Sequence, residues 1–318
     1  MSSLLKRLVS LSLVIASTSS LFACADVDAN DVSTESEDAV TLKWLARGVT
    51  VGQAKNRVPN IPIFGKEYTA TTALYAVSAD GLPGKVYRGA ILVNPGAVVG
   101  SADQKTFAET LAAKGYIVYV ANNPVDNVKE DQGGPARGPI PLFVGNLIPD
   151  LARQLSTDPS RVEMLPPAIV AAHRAWNTAR TPKLVAIGHS LGGAVLGSAA
   201  KRTDTGLSRI ILIGVDELVD AGFPFSLSLP ESGKATPIPL VFVRGEFDGL
   251  AESAKTRELA KKYPNSQVLP DVKGVNHFCF IDGTVGAPGK RKADRKSTLP
   301  STQACVDATI EALKGKLD

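Results

Sequence analysis

A short apolar run that breaks into Gly-x-Ser-x-Gly constrains this chain more than any other feature. Residues 184–187 (Leu-Val-Ala-Ile) read as a strand. They lead into Gly188-His189-Ser190-Leu191-Gly192 and then into the small-residue stretch Gly193-Ala194-Val195-Leu196-Gly197-Ser198-Ala199-Ala200. Strand, sharp turn and helix in that order lift a serine clear of a sheet as an exposed nucleophile. The flanking glycines have a mechanical reason. The turn strains the serine backbone, and a side chain at either position would collide with it or hold strand and helix apart. The five-residue motif alone is weak; its place between strand and helix makes it informative.

The rest of the chain keeps the same alternation. Strand-like runs lie at 67–78, 86–94, 116–121, 209–214, 239–243 and 267–272, and helical patterns at 105–114, 168–178, 254–263 and 303–317. This predicts an α/β fold: one domain built on a doubly wound, mostly parallel sheet covered on both faces. Two Gly- and Pro-bearing stretches, 122–165 and 217–237, interrupt the rhythm as loop insertions. Both fall after strands, beside the carboxyl ends where an open α/β sheet binds its ligand.

At 318 residues, 44% hydrophobic and 21% charged, the chain has the make-up of a globular protein. Its net charge of +4 falls to +2 without Lys6 and Arg7 (33 basic against 31 acidic groups), so nothing argues for a nucleic-acid partner. Residues 1–23 read as an export signal, with a basic start, a short apolar run at 8–15 and a small-residue patch. Leu21-Phe22-Ala23-Cys24 resembles a bacterial lipobox, which implies diacylation of Cys24 as the mature N-terminus. Residues 24–45 then form an acidic tether carrying Asp26, Asp28, Asp31, Glu35, Glu37 and Asp38, and 46–318 form the folded domain. The expected location is the bacterial cell envelope, with a lipid anchor as the link to a membrane. With Cys24 lipidated, Cys279 and Cys305 remain, and an oxidising envelope invites one disulfide between them.

A serine hydroxyl is a poor nucleophile until a base takes its proton, and histidine, oriented by a carboxylate, is the usual base. The chain has three histidines. His173 falls on a predicted helix and His189 within the turn itself; both read as structural. His277, in Val275-Asn276-His277-Phe278, lies just past the last predicted strand, suited to reaching back over the sheet. The oxyanion needs two backbone N–H donors. Leu191, next to the nucleophile, supplies one; Ala97, in Asn94-Pro95-Gly96-Ala97 after an early strand, is the candidate for the other. Competing chemistries are thin. No dinucleotide or phosphate loop and no His/Cys cluster at metal spacing occurs, so neither cofactor nor metal is expected. The basic cluster Lys290, Arg291, Lys292, Arg295 and Lys296 reads as a solvated loop.

Three runs, ILVNPGAVV at 91–99, VAIGHSLGG at 185–193 and GVNHFCF at 274–280, carry a resemblance to the α/β-hydrolase superfamily over residues 45–318. The likeness is to its compact bacterial branch of serine esterases, dienelactone-hydrolase-like proteins and polyester or chlorophyll esterases. Dienelactone hydrolases use a cysteine nucleophile; Ser190 in that position favours an esterase-type reaction. The resemblance implies the order serine, acid, histidine, which selects His277 as the base. Acid candidates in the interval are Asp216, Asp220, Glu246, Asp248 and Asp271. Asp248 ends a strand before a helix, where the superfamily places its acid; Asp216, after the preceding strand, is the runner-up. The implied activity is hydrolysis of a small or polymeric carboxylic ester through an acyl-serine. The alternative is a non-catalytic envelope lipoprotein that holds an apolar ligand in the same pocket. Acyl length and oligomeric state are not specified by these residues.

Overall fold

The apolar runs assemble into one sheet. A computed structural model describes residues 42–52, 60–63, 66–69, 71–96, 99–122, 147–181, 183–219, 229–282 and 296–318. Its strands are β1 (Trp44–Val51), β2 (Asn60–Ile63), β3 (Lys66–Thr69), β4 (Thr71–Val77), β5 (Gly89–Asn94), β6 (Tyr116–Asn122), β7 (Leu184–His189), β8 (Leu207–Ile213), β9 (Leu240–Val243) and β10 (Gln267–Val268). Eight of them form a sheet in the order β1-β4-β6-β5-β7-β8-β9-β10, while β2 and β3 pair as a separate antiparallel ribbon. Only β4 runs against its neighbours; every pair from β6 to β10 is parallel. Residues of β4, β5, β6, β7 and β9 are buried without interruption. That pattern is what a sheet covered on both faces produces.

The α-helices are α1 (Lys105–Ala113), α2 (Leu147–Thr157), α3 (Pro167–Thr178), α4 (Ser190–Leu196), α5 (Ser253–Lys261) and α6 (Thr302–Ala312). The connection β5–α1–β6 moves one way along the sheet, and the connections from β6 through β10 move the other. Right-handed crossovers therefore put α1 on one face and α2 to α5 on the opposite one. After β10 the chain returns to the first face, where α6 packs on α1. The direction reverses between β5 and β7, and there the carboxyl ends of two adjacent strands diverge to opposite faces and leave a crevice.

β2 has no counterpart among the strands expected from sequence, and two further elements differ from that expectation. β1 begins at Trp44, inside the stretch assigned to the tether. Register shifts at Trp44/Ala46 and Arg47/Val49, with Gly48 at φ 71°, break its period-two pattern and hide it as a strand. Arg47 fastens this edge strand to α1 through Glu109, at 2.6 and 2.9 Å. The stretch 122–165, read as an insertion, contains α2, which buries Ile148, Leu151, Ala152 and Leu155 against the sheet at helical spacing. Residues 1–41 lie outside the described residues, and with them the export signal and Cys24, as do Asp220 and the basic residues 290–295. No helix among the described residues is long and apolar enough to cross a membrane.

Candidate active site

Ser190 stands at the reversal point, between the last residue of β7 and the first turn of α4. Its φ is +51°, a conformation that costs a non-glycine residue about 1–3 kcal/mol and persists only where its surroundings enforce it. The enforcement is steric. A Cβ on Gly188 would overlap the backbone of Gly193, one on Gly192 would overlap the Pro95 and Asn94 carbonyls, and one on Gly193 would overlap the Gly188 carbonyl. Asn94, paired with Gly188 across the sheet, donates from Nδ2 to the Gly192 carbonyl at 2.9 Å and ties the elbow to β5. The turn after β5 lies directly against the serine: a Cβ on Gly96 would sit 3.0 Å from Ser190 Cβ. Ala97, the expected oxyanion donor, lies outside the described residues; Leu191 follows Ser190, half-buried.

His277 and Asp248 meet beyond the end of β8, beside Gly214. Nδ1 of His277 is 2.9 Å from both Asp248 oxygens, and both side chains are buried. Burial alone would push the Asp248 carboxyl up. The charge of His277 and its hydrogen bond, with the N–H groups of Ala251 and Leu250 at 2.8 and 2.9 Å, outweigh burial and hold it below 3.8. An ionised carboxylate only accepts, so Nδ1 carries the proton, and in the neutral ring Nε2 then presents its lone pair. Nε2 is buried and hydrogen-bonded to no described group, Ser190 included. In this conformation the His277 ring is oriented by Asp248 and no serine–histidine hydrogen bond is formed.

The competing carboxylates are engaged elsewhere. Asp216 accepts from the Glu252 N–H at 3.1 Å. Glu246 binds Lys273 at 3.2 Å and the Gly274 N–H at 3.1 Å. Asp271 pairs with Arg244 at 3.6 Å. Among the described candidates, only Asp248 faces His277.

Several supporting residues escaped the sequence reading. Gly214 (φ +63°) follows β8, and a Cβ there would lie 2.9 Å from Asp248 Oδ2 and 3.0 Å from His277 Nδ1, so the pair fits only beside a glycine. A glycine ending a strand was the available signal, and it reads first as a turn. Arg244, buried, donates to the Asp248 carbonyl at 2.9 Å and holds the acid's turn. Backbone bonds from Glu246 N to Val272 O and Phe247 N to Val275 O, both 2.9 Å, lay that turn along the histidine loop. Asn276 accepts from the N–H groups of Phe278 and Cys279, tightening the loop just after the base. Cys279 is bonded to Cys305 of α6, with Cα atoms 5.8 Å apart. Asp282 accepts from the N–H and hydroxyl of Thr106 at the start of α1. Among the described residues, no group of three His, Cys, Asp or Glu side chains converges as a metal site would require.

An eight-stranded, mostly parallel sheet with a strained serine on its central elbow and an Asp–His pair beside it defines the α/β-hydrolase class. Residues 162–305 match the family model described as alpha/beta hydrolase. The fold is similar to that of a ferulic acid esterase from Streptomyces cinnamoneus, at 18% identity over 86% of this chain and 89% of that one, with a TM-score of 0.53. A monoglyceride lipase from Saccharomyces cerevisiae (13% identity, 82% and 94% coverage, TM-score 0.48) and a dienelactone hydrolase from Anabaena variabilis (12%, 85% and 96%, 0.46) are more distant in shape. No curated protein matches in sequence. The fold is the alpha/beta-hydrolase fold, and the matched residues take in Ser190, Asp248 and His277.

Proposed function

We propose that this protein is a serine hydrolase that cleaves carboxylic esters through an acyl-serine intermediate. The observation that carries the reading is the buried Asp248–His277 pair, which leaves Nε2 as a bare acceptor at the crevice that holds Ser190. In the proposed cycle Nε2 takes the Ser190 proton as Oγ attacks the ester carbonyl. The imidazolium that forms is stabilised by the Asp248 carboxylate, and it then protonates the leaving alcohol. The Leu191 N–H receives the oxyanion, with the Ala97 N–H as the second donor expected from the sequence. Water repeats the sequence to release the acid. The ferulic acid esterase of similar fold agrees with an ester substrate, at the level of fold alone.

Export and lipid anchoring through Cys24 complete the proposal and rest on the sequence of residues 1–45. A fluorophosphonate probe tests the chemistry, since it bonds only to an activated serine. Labelling of Ser190, abolished by Ser190→Ala, is the expected result. An unlabelled, folded protein would instead favour a ligand-holding lipoprotein. Mass spectrometry of the mature protein tests the anchor: a modified N-terminal Cys24 is expected, and a mature chain starting elsewhere refutes it.

A further inference from the structure

His189 takes no part in that chemistry, yet few side chains of the site are more tightly defined. It is buried, with Nε2 3.0 Å from the main-chain carbonyl oxygen of His277. A carbonyl only accepts, so Nε2 carries the proton. Burial, with a smaller push from neighbouring His277, takes its pKa down to about 3 and keeps the ring neutral. Nδ1 is therefore an unprotonated acceptor, and it faces the turn after β5: a Cβ on Gly96 would lie 3.0 Å from it. The ring packs on His277 and, edge-on, on Phe280, each with centroids 4.8 Å away.

The bond from Asp248 holds the His277 ring at one atom, Nδ1. One anchored atom leaves the ring free to tilt about it, and tilting moves Nε2 relative to the serine. A second fixed point on the same residue removes that freedom, and the carbonyl of His277 is such a point. We propose that His189 is a positioning residue: by donating Nε2–H to the His277 carbonyl it sets the direction in which the base presents Nε2 to Ser190. Its neutrality matters as much as its reach. A protonated ring at this distance would oppose the imidazolium that must form on His277. Because His189 adjoins the nucleophile in sequence, one residue links the backbone of the elbow to that of the base.

The inference rests on the esterase reading, and the experiment separates the two. Full-length protein and the variants His189→Gln, His189→Asn and His189→Leu are assayed on p-nitrophenyl acetate. Glutamine places an amide N–H where Nε2 stands; asparagine is too short, and leucine fills space without a donor. Loss of one positioning hydrogen bond is expected to lower kcat about tenfold in the Asn and Leu variants, with KM within about twofold and most of kcat recovered in Gln. In the wild type, nitrogen NMR of three histidines should show His189 protonated at Nε2 and unprotonated at Nδ1 from about pH 5 to 9. This measurement decides the matter if the Asn and Leu variants do not fold. A Leu variant with wild-type kcat and only a lower melting temperature would make His189 a filler and overturn the inference. So would a proton on Nδ1, or a ring that titrates within that range. A wild type inert to both ester and fluorophosphonate overturns the esterase reading, and this inference with it.

Discussion

The elbow that carries Ser190 and the platform that carries Asp248 and His277 are built by opposite means. The elbow is local: Gly188, Gly192 and Gly193 lie within three residues of Ser190, and their missing side chains create its +51° backbone. The platform is assembled at long range. Asp248 and His277 are 29 residues apart, and their loops are fastened by Arg244 to Asp271, by Cys279 to Cys305 and by Asp282 to Thr106, the last across 176 residues. The comparison teaches that strain can be encoded in a short motif, whereas orientation of a base draws on the whole fold.

The largest test of the comparison is Ser190→Ala. Activity on short p-nitrophenyl esters should vanish while thermal unfolding shifts by less than about 1 kcal/mol, because the hydroxyl contributes little to the core. Substantial residual turnover would break the mechanism. Next is Asp248→Asn, which keeps the shape but lets the amide dictate the wrong imidazole tautomer; kcat should fall by about 10⁴. If Asp248→Asn is near wild type and Asp216→Asn is inactive, the acid belongs to β8 rather than β9. Gly214→Ala probes the platform from beneath. Its methyl group would displace the Asp–His pair, and a displacement of this kind costs about 10² in kcat. Unchanged kinetics would show that the pair has room to spare.

Two smaller effects concern stability. Opening the Cys279–Cys305 bridge, which spans 26 residues, should destabilise by about 3 kcal/mol in the chain-entropy model. Denaturant titration of Cys279→Ser/Cys305→Ser against wild type reads this directly, and equal midpoints would refute it. Smaller per step is the pH effect of two buried histidines. Burial takes His173 and His189 from 6.5 down to about 3. The unfolded chain therefore takes up protons below pH 6.5 that the folded one refuses until about 3. Stability should fall with pH over that window by about 1.4 kcal/mol per unit for each histidine. Asp248 works in the same sense over a lower window: its carboxyl is held below its ordinary value, so its contribution is lost only as the pH falls past that value. Stability measured between pH 6.5 and 5 should show the slope, and His173→Gln should reduce it; a flat profile would sink the account.

What was legible in the sequence follows the same division. The elbow could be read because a glycine's absence of side chain is visible in one residue. Asp248 and His277 could be picked out because each follows a strand in the required chain order, and the structure places them 2.9 Å apart. The supports could not. Arg244 looks like any strand-end cation until its carbonyl partner at Asp248 is seen, and Asp282 caps a helix whose own N-cap residue, Gln104, provides no side-chain bond. β1 and α2 were hidden for different reasons. Bulges erased the alternation of the first, and the apolar spacing of the second was submerged in a Gly- and Pro-bearing stretch.

The strand that leads to the histidine is the sheet's weakest. β10 contributes two residues at an edge, paired to β9 alone, and a single bridge from Gly245 to Val272 prolongs it. Proteins open in pieces, and edges with few ladder bonds open first. His277 therefore hangs from an edge with few ladder bonds, while Ser190 follows a strand paired on both sides. On warming, the amides of 267–278 should exchange with solvent before those of β5 and β7, and turnover should fade while the sheet is still whole. For the proposed esterase the working temperature would then be set by the tethers of one loop and not by the melting of the fold.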